Sequence, residues 1–359
     1  MSKKKPTPRS VAPVAPPTDA ASLLADLRAL IDGTRAQVAQ AVNAGLTLTY
    51  WAVGDRIRRE ILGEKRAEYG KQILATLSQE LTADYGRGFG IRNLFQMVRF
   101  AEAFPSRPIV QTLSAQLGWS HFIEIIGFDN PLKRDFYAEM CRVERWSVRT
   151  LRERIGGQLF ERTAIAKKPD QQIREELNRL RDEGRLTPDL VFRDPYVLDF
   201  LGLKDTYSEA DLEAGILREM EASLLELGGG FTFVARQKRI TVDGVDFYLD
   251  LLFYHRRLRR LVAIDLKLDK FEPAHKGQME LYLRWLERYE TEPGEGTPLG
   301  LILCAGSSTE QIELLRLEES GIRVAEYLTE LPPRALLERK LHQAIELARR
   351  QVPRLGGEE

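Results

Sequence analysis

Residues 247–268 read FYLDLLFYHRRLRRLVAIDLKL, and the fold of the chain turns on how they pair. FYLDLLFY is aromatic and aliphatic, LVAIDLKL is β-branched and aliphatic, and HRRLRR between them is polar enough to lie in solvent, so the stretch predicts a β-hairpin. Period 2 sorts the side chains: Tyr248, Asp250, Leu252 and Tyr254 share one face of the first strand, and Leu261, Ala263, Asp265 and Lys267 share one face of the second. A turn centred on Arg257 and Leu258 sets residue i opposite residue 515 − i. Asp250 and Asp265 then become cross-strand neighbours, with Cβ atoms roughly 5 Å apart.

Like charges directly opposite destabilise a sheet, so an apolar hairpin that keeps two of them calls for a counter-charge. A divalent cation is the natural candidate. Oxygen-only ligands favour Mg²⁺ or Mn²⁺ over zinc, and Lys267 on the same face as Asp265 can orient or deprotonate a water beside such an ion. The pattern outlines a hydrolytic site. A lone Asp-x-Lys is usually a surface ion pair; the mirrored spacing of the two acids is what argues for more.

A length of 359 residues suggests two domains, since single cores stop growing near 250 to 300 residues. Cys141 and Cys304 are too few for a disulfide framework or a zinc site, which points to a reducing, cytoplasmic setting. The opening MSKKKPTPRSVAPVAPPTDA lacks the apolar core of a signal peptide, and no run approaches a membrane span. Charge is balanced overall but unevenly placed: residues 1–168 hold 26 Lys and Arg against 17 Asp and Glu, a net of +9, leaving −9 for the rest. A basic front half beside a carboxylate-bearing back half suits a protein that grips a polyanion with one domain and gathers metal with the other.

In chain order, residues 1–18 are a Pro-rich basic arm expected to be disordered. Residues 19–165 predict a helical domain, beginning with one helix to about Asn43, a second through TYWAVGDRIRREIL, and a third, KQILATLSQELTADY. The link GRGFG then leads into a fourth helix, IRNLFQMVRFAEAF, an arrangement like a helix-turn-helix. On that fourth helix Leu94, Met97, Val98 and Ala101 can face a core, leaving Arg92, Asn93, Gln96 and Arg99 outside, where such residues read base edges or meet phosphate. A plain helical hairpin with a solvated face accommodates the same residues. His121 has no second ligand at metal spacing and reads as a helix-start or packing residue. The charged segment 166–193 reads as an interdomain linker with some helix.

Residues 194–352 predict the second domain in the order αβββαβαβα, with a mixed sheet whose antiparallel part carries the two acids. Ser208 and Asp211 form a capping box for a helix running to Gly228-Gly229-Gly230. Asp243-Gly244 marks a hairpin turn ahead of the two strands quoted above. Arg236, Gln237, Lys238 and Arg239 cluster on the strand before it, positioned either to hold phosphates or simply to solvate the strand.

The blocks YWAVGDRI, YGKQIL, GFGIRNLFQMVRF and LSAQLGWSH in front, and LLELGGGFTFVARQKRI, FYLDLLFYHRRLRRLVAIDLKLDKF and GQMELYL behind, resemble the YhcG-type bacterial proteins. These join a helical N-terminal domain to a C-terminal nuclease of the PD-(D/E)XK superfamily. The resemblance covers nearly the whole chain. It implies an α+β protein of two domains, the second a restriction-endonuclease-like α/β domain. It implies that Asp250 is the first strand acid, Asp265 and Lys267 the paired acid and lysine, Glu213 the acid of the preceding helix, and Gln278 the polar residue of the following helix, with Tyr282 one turn later. Asp265 departs from the Glu usual in this branch and reaches one methylene less. The implied activity is an Mg²⁺- or Mn²⁺-dependent endonuclease acting on nucleic acid, DNA first, with Asp250, Asp265 and Glu213 on the metal and Arg236, Gln237 and Tyr282 toward nucleic acid. A homodimer would serve cleavage of both strands. The rival class is a non-catalytic nucleic-acid-binding or regulatory protein on the same scaffold; an intact set of Asp250, Asp265, Lys267 and Gln278 speaks against it.

Overall fold

In a computed structural model of the chain, the described residues are 18–63, 67–198, 201, 208–306 and 309–328. The expected N-terminal arm and the helix expected over 332–352 lie outside them. The chain divides into two compact units, residues 1–123 and 124–359. Among the described residues no helix is long and apolar enough to cross a membrane.

The first unit is helical. It holds α1 (Thr18–Gly63), α2 (Ala67–Tyr85), α3 (Ile91–Ala103), α4 (Arg107–Ser114) and the start of α5 (Trp119–Ile125). The two helices expected over 19–62 are one, because Asn43-Ala44-Gly45 is no barrier: a glycine inside a long helix costs only about 1 kcal/mol. Gly54 of α1 meets α3 backbone to backbone; a Cβ there would lie 1.8 Å from the Met97 carbonyl oxygen. Around that crossing Ile57, Leu74, Leu94 and Met97 form a core, and the Trp51 indole donates to the Phe104 carbonyl at 2.8 Å. Gly86, at φ 88°, takes the left-handed turn that ends α2 and leads through Arg87–Phe89 into α3. At the start of α5, the Gly118 N–H donates to His121 Nδ1 at 3.2 Å, so His121 closes a helix start, as its surroundings in sequence indicated.

The second unit opens with α6 (Pro131–Glu144), α7 (Val148–Gly156), α8 (Leu159–Arg162), α9 (Asp170–Glu183) and α10 (Pro188–Val191). The segment expected as a linker is packed: Ile173, Leu177 and Leu180 of α9 are buried. Arg181 of α9 reaches the buried Glu139 of α6 at 2.6 Å, and Arg142 completes that carboxylate at 2.8 Å. Three apolar residues at helical spacing were enough for a core stripe, and the dense charge around them hid it. Further on, Arg162 and Arg193 both pair with Glu226. The expected boundaries at 165 and 194 therefore fall inside one compact unit.

Then come β1 (Tyr196–Val197), α11 (Glu209–Arg218), α12 (Met220–Leu227), β2 (Phe231–Val242), β3 (Val245–His255), β4 (Arg260–Leu266), α13 (Pro273–Tyr289), β5 (Leu299–Cys304), α14 (Thr309–Leu314) and β6 (Ile322–Leu328). They build a six-stranded sheet in the order β1-β6-β5-β4-β3-β2. β2, β3 and β4 pair antiparallel, and β4, β5, β6 and β1 pair parallel. This is the expected mixed sheet, with one short strand, β1, that two residues were too few to announce. The helix expected over 211–227 breaks at Glu219 into α11 and α12.

Two apolar layers cover the sheet. Leu212 and Ile216 of α11 pack with Leu251, Phe253, Val262 and Ile264. Met279, Tyr282 and Leu283 of α13 pack with Leu249, Leu252, Leu261 and Ala263. β4 keeps strict alternation between these layers, as period 2 requires. β3 does not: Leu249 and Leu252, three apart, fall in the same layer, so the strand changes face at Asp250. β2 does likewise between Ala235 and Ile240, around Gln237.

Candidate active site

The hairpin register is the one the sequence predicts: Leu251 pairs with Ile264 and Leu252 with Ala263, so each pair sums to 515. One step further along, Asp250 comes beside Asp265. The Asp250 carboxylate receives the Leu266 N–H at 2.8 Å, just where β4 ends. Lys267 Nζ lies 3.0 Å from Asp265 Oδ2.

Asp265 is 2% exposed. Burial pushes its carboxyl up to about 6; Lys267 opposes the rise and Asp250 adds to it. For Lys267 burial works against the charge, but Asp265 outweighs it, with Glu209 and Asp250 assisting, so its pKa is raised and it stays an ammonium. The pair therefore holds a fixed positive charge beside an acid whose ionisation is pushed up to about 6.

Glu213 reaches the same place from α11. Buried Leu212 and Ile216 fix the helix against the sheet and set Glu213 at the edge of the buried stripe. Gln237 Nε2 donates to Glu213 Oε2 at 2.7 Å and to Asp250 Oδ1 at 3.1 Å. Glu213 Oε1 is buried with no hydrogen-bond partner; the nearest cation, Arg236, stands 3.6 Å away. Gln278 lies on α13 and donates to the Tyr282 hydroxyl at 2.6 Å, which in turn donates to the Tyr248 carbonyl at 3.1 Å.

Several expected roles change here. Tyr282 is 1% exposed, with its hydroxyl engaged inside the fold; it anchors Gln278 to β3. Gln237 is spent on two carboxylates rather than left open to phosphate. Tyr248, assigned by period 2 to the face of Leu252, is exposed because β3 changes face at Asp250. Lys238 pairs with Glu290, and Arg239 with Asp246. In the first unit Asn93 is held at both ends: it donates to the Gly88 carbonyl at 2.5 Å and accepts from the Trp119 indole at 3.0 Å. Asn93 thus locks the turn instead of reading bases. Gln96 turns its oxygen inward, buried without a partner. Arg92 and Arg99 remain exposed.

Two neighbours went unnoticed in the sequence. Glu209, one turn before Glu213, accepts the Leu268 N–H at 3.2 Å; its spacing of four from Glu213 was the available signal. His275, at the start of α13, accepts the Glu272 N–H, and burial together with the Lys267 charge lowers its pKa.

Oxygen donors from Glu213, Asp250 and Asp265 fit a hard divalent cation, and the buried Glu213 Oε1 has no hydrogen-bond partner. Among the described residues no three acids stand in ready coordinating geometry.

Comparison with solved structures finds a repair endonuclease from Pyrococcus abyssi, 21% identical, TM-score 0.26, covering 36% of this chain and 50% of that one. It also finds an EndoMS–dsDNA2 complex, 23% identical, TM-score 0.27, covering 37% of this chain and 48% of that one. The likeness spans about half the length of those chains and is too partial to carry over anything from them. The protein named "Putative nuclease YhcG" of Escherichia coli (strain K12) is 36% identical over 335 residues, which covers 84% of this chain and 88% of that protein. Residues 26–162 match the DUF1016 N-terminal domain and residues 189–342 the YhcG PDDEXK nuclease domain. With both domains present in order and a relative matched along most of its length, this chain belongs to the YhcG family of PD-(D/E)XK nucleases.

Proposed function

We propose that the protein is a metal-dependent endonuclease that hydrolyses phosphodiester bonds of nucleic acid, with DNA as the first substrate to test. The observation that supports it most is the meeting of Glu213, Asp250, Asp265 and Lys267 at the end of β4. Asp250, Asp265 and Glu213 would hold Mg²⁺ or Mn²⁺. Bound there, the ion supplies Lewis acidity toward a phosphoryl oxygen and a more acidic water.

The chain's own groups do the rest. Lys267 keeps its proton against Asp265 and offers an ammonium where charge grows on the phosphorane oxygens. Asp265, paired with Lys267, would hold the ion as a carboxylate and keep the lysine aimed at the reacting phosphate. Gln278, steadied by Tyr282, would turn its remaining polar atoms to the scissile phosphate, and exposed Arg236 would offer a guanidinium to an adjoining phosphate. For the helical region, exposed Arg92 and Arg99 support nucleic-acid contact through phosphate rather than base readout. Cutting both strands with one site per chain calls for two copies.

The test is cleavage of linear, branched and single-stranded DNA and RNA with Mg²⁺ or Mn²⁺, beside a Lys267→Ala control. Cleavage by the wild type and not the variant is expected. No cleavage of any substrate by well-folded wild type, with no metal bound, would leave the non-catalytic binding protein as the better reading.

A further inference from the structure

Gln237 sits in the middle of β2 with a backbone no strand residue normally adopts. Its φ is +42°, in the left-handed region that costs a non-glycine residue energy and persists only where something holds it. The ladder pairs Arg236 with Leu251 and Lys238 with Leu249 but skips Gln237 opposite Asp250. Here both strands change face. The distortion aims the carboxamide at the acids: Nε2 donates to Glu213 at 2.7 Å and Asp250 at 3.1 Å. Two carboxylates accept and cannot donate, so only the nitrogen end of the amide satisfies both. That nitrogen bridges the two carboxylates.

We propose that Gln237 is a positioning residue that stands in for the cation, keeping Glu213 and Asp250 together without metal, and that a divalent ion enters by displacing its carboxamide. This rests on reading the site as metal-dependent. The amide neutralises no charge and leaves Glu213 Oε1 without a hydrogen bond, so the bridge is weaker than the ion it yields to. It holds the ligands close to where they are needed while costing some affinity, since its two hydrogen bonds must break before metal binds. Gln237 thereby sets the concentration at which the site fills.

The test uses the full chain, stripped with EDTA and titrated with Mn²⁺ and Mg²⁺ by calorimetry without nucleic acid. Gln237→Gly removes the amide and suits a positive φ, so the fold is spared. Gln237→Asn also tolerates that backbone but is one methylene too short to span both acids. Both variants should bind the ion more tightly, about tenfold to a hundredfold, as expected when hydrogen bonds to charged groups no longer compete. The ion should also raise their melting temperature more than it raises the wild type's. Asp250→Ala should bind no ion at this site. Unchanged or weaker binding in both Gln237 variants, with wild type binding and Asp250→Ala silent, overturns the displacement while leaving the metal site in place. Wild type that binds no more ion than Asp250→Ala overturns both.

Discussion

The buried acid Asp265 makes a prediction that needs no substrate. Its folded pKa is raised to about 6 from 3.8, a difference near two units, which corresponds to about 3 kcal/mol at 1.36 kcal/mol per unit. In the unfolded chain the carboxyl ionises as pH passes about 3.8 and gains solvation; in the folded chain it holds its proton until about 6. The folded state therefore binds more protons across that window, so stability falls as pH rises from about 4 to about 6 and is flat above it. Urea unfolding of metal-free protein at pH 4.0 to 7.5, wild type against Asp265→Asn, reads the contribution of this coupled site, because carboxylates remote from it cancel in the difference. Relative to the variant, wild type should lose about 3 kcal/mol across the window, an upper bound because the Asp265 carboxyl is coupled to the neighbouring Asp250. Saturating Mg²⁺ should flatten the difference by keeping Asp265 ionised. Parallel curves for the two proteins without metal would refute the buried, Asp250-facing position of Asp265.

Lys267→Ala should lower cleavage by about 10² to 10³ with the fold kept, the usual cost of losing one electrostatic stabiliser of the transition state; steady-state rates with circular dichroism check it. Asn93→Ala should cost about 1 to 3 kcal/mol, because it leaves the Gly88 carbonyl and Trp119 indole without their partner; thermal melting reads this, and an unchanged melt would return Asn93 to the surface. Gly54→Ala should destabilise the first unit by at least about 1 to 3 kcal/mol, since its Cβ would lie 1.8 Å from the Met97 oxygen; wild-type stability would deny the close crossing of α1 and α3. Arg99→Ala should weaken salt-sensitive DNA binding across sequences alike, while Gln96→Ala should leave sequence preference unaltered; a loss of preference in the latter would restore Gln96 as a base reader.

The hairpin was legible because three independent signals agreed on it: aromatic and aliphatic strands, a basic turn, and two acids mirrored about that turn. Glu213 was legible through the resemblance, as the acid of the helix that precedes the strands. Gln237 was not, because its role comes from a backbone angle that nothing about a glutamine in a strand announces. Asn93 was misread for a related reason. Helical phase places it outside α3, but Trp119, 26 residues on, supplies a donor that no local pattern contains. The packed helix α9 shows the limit from the other side, since composition counted its charges while burial depended on three residues at the right spacing.

The failure of alternation at Asp250 is what allows the acids to meet. Glu213 comes from α11, whose apolar stripe belongs to one layer. Asp265 shares its side of β4 with Leu261 and Ala263, which belong to the other. In a regular sheet a side chain on β3 would point into one layer or the other, out of reach of one of these acids. By changing face at Asp250, opposite the left-handed Gln237, β3 places a carboxylate that receives the Leu266 N–H at the end of β4 and the Gln237 amide shared with Glu213. Asp250 thus connects groups from the two layers.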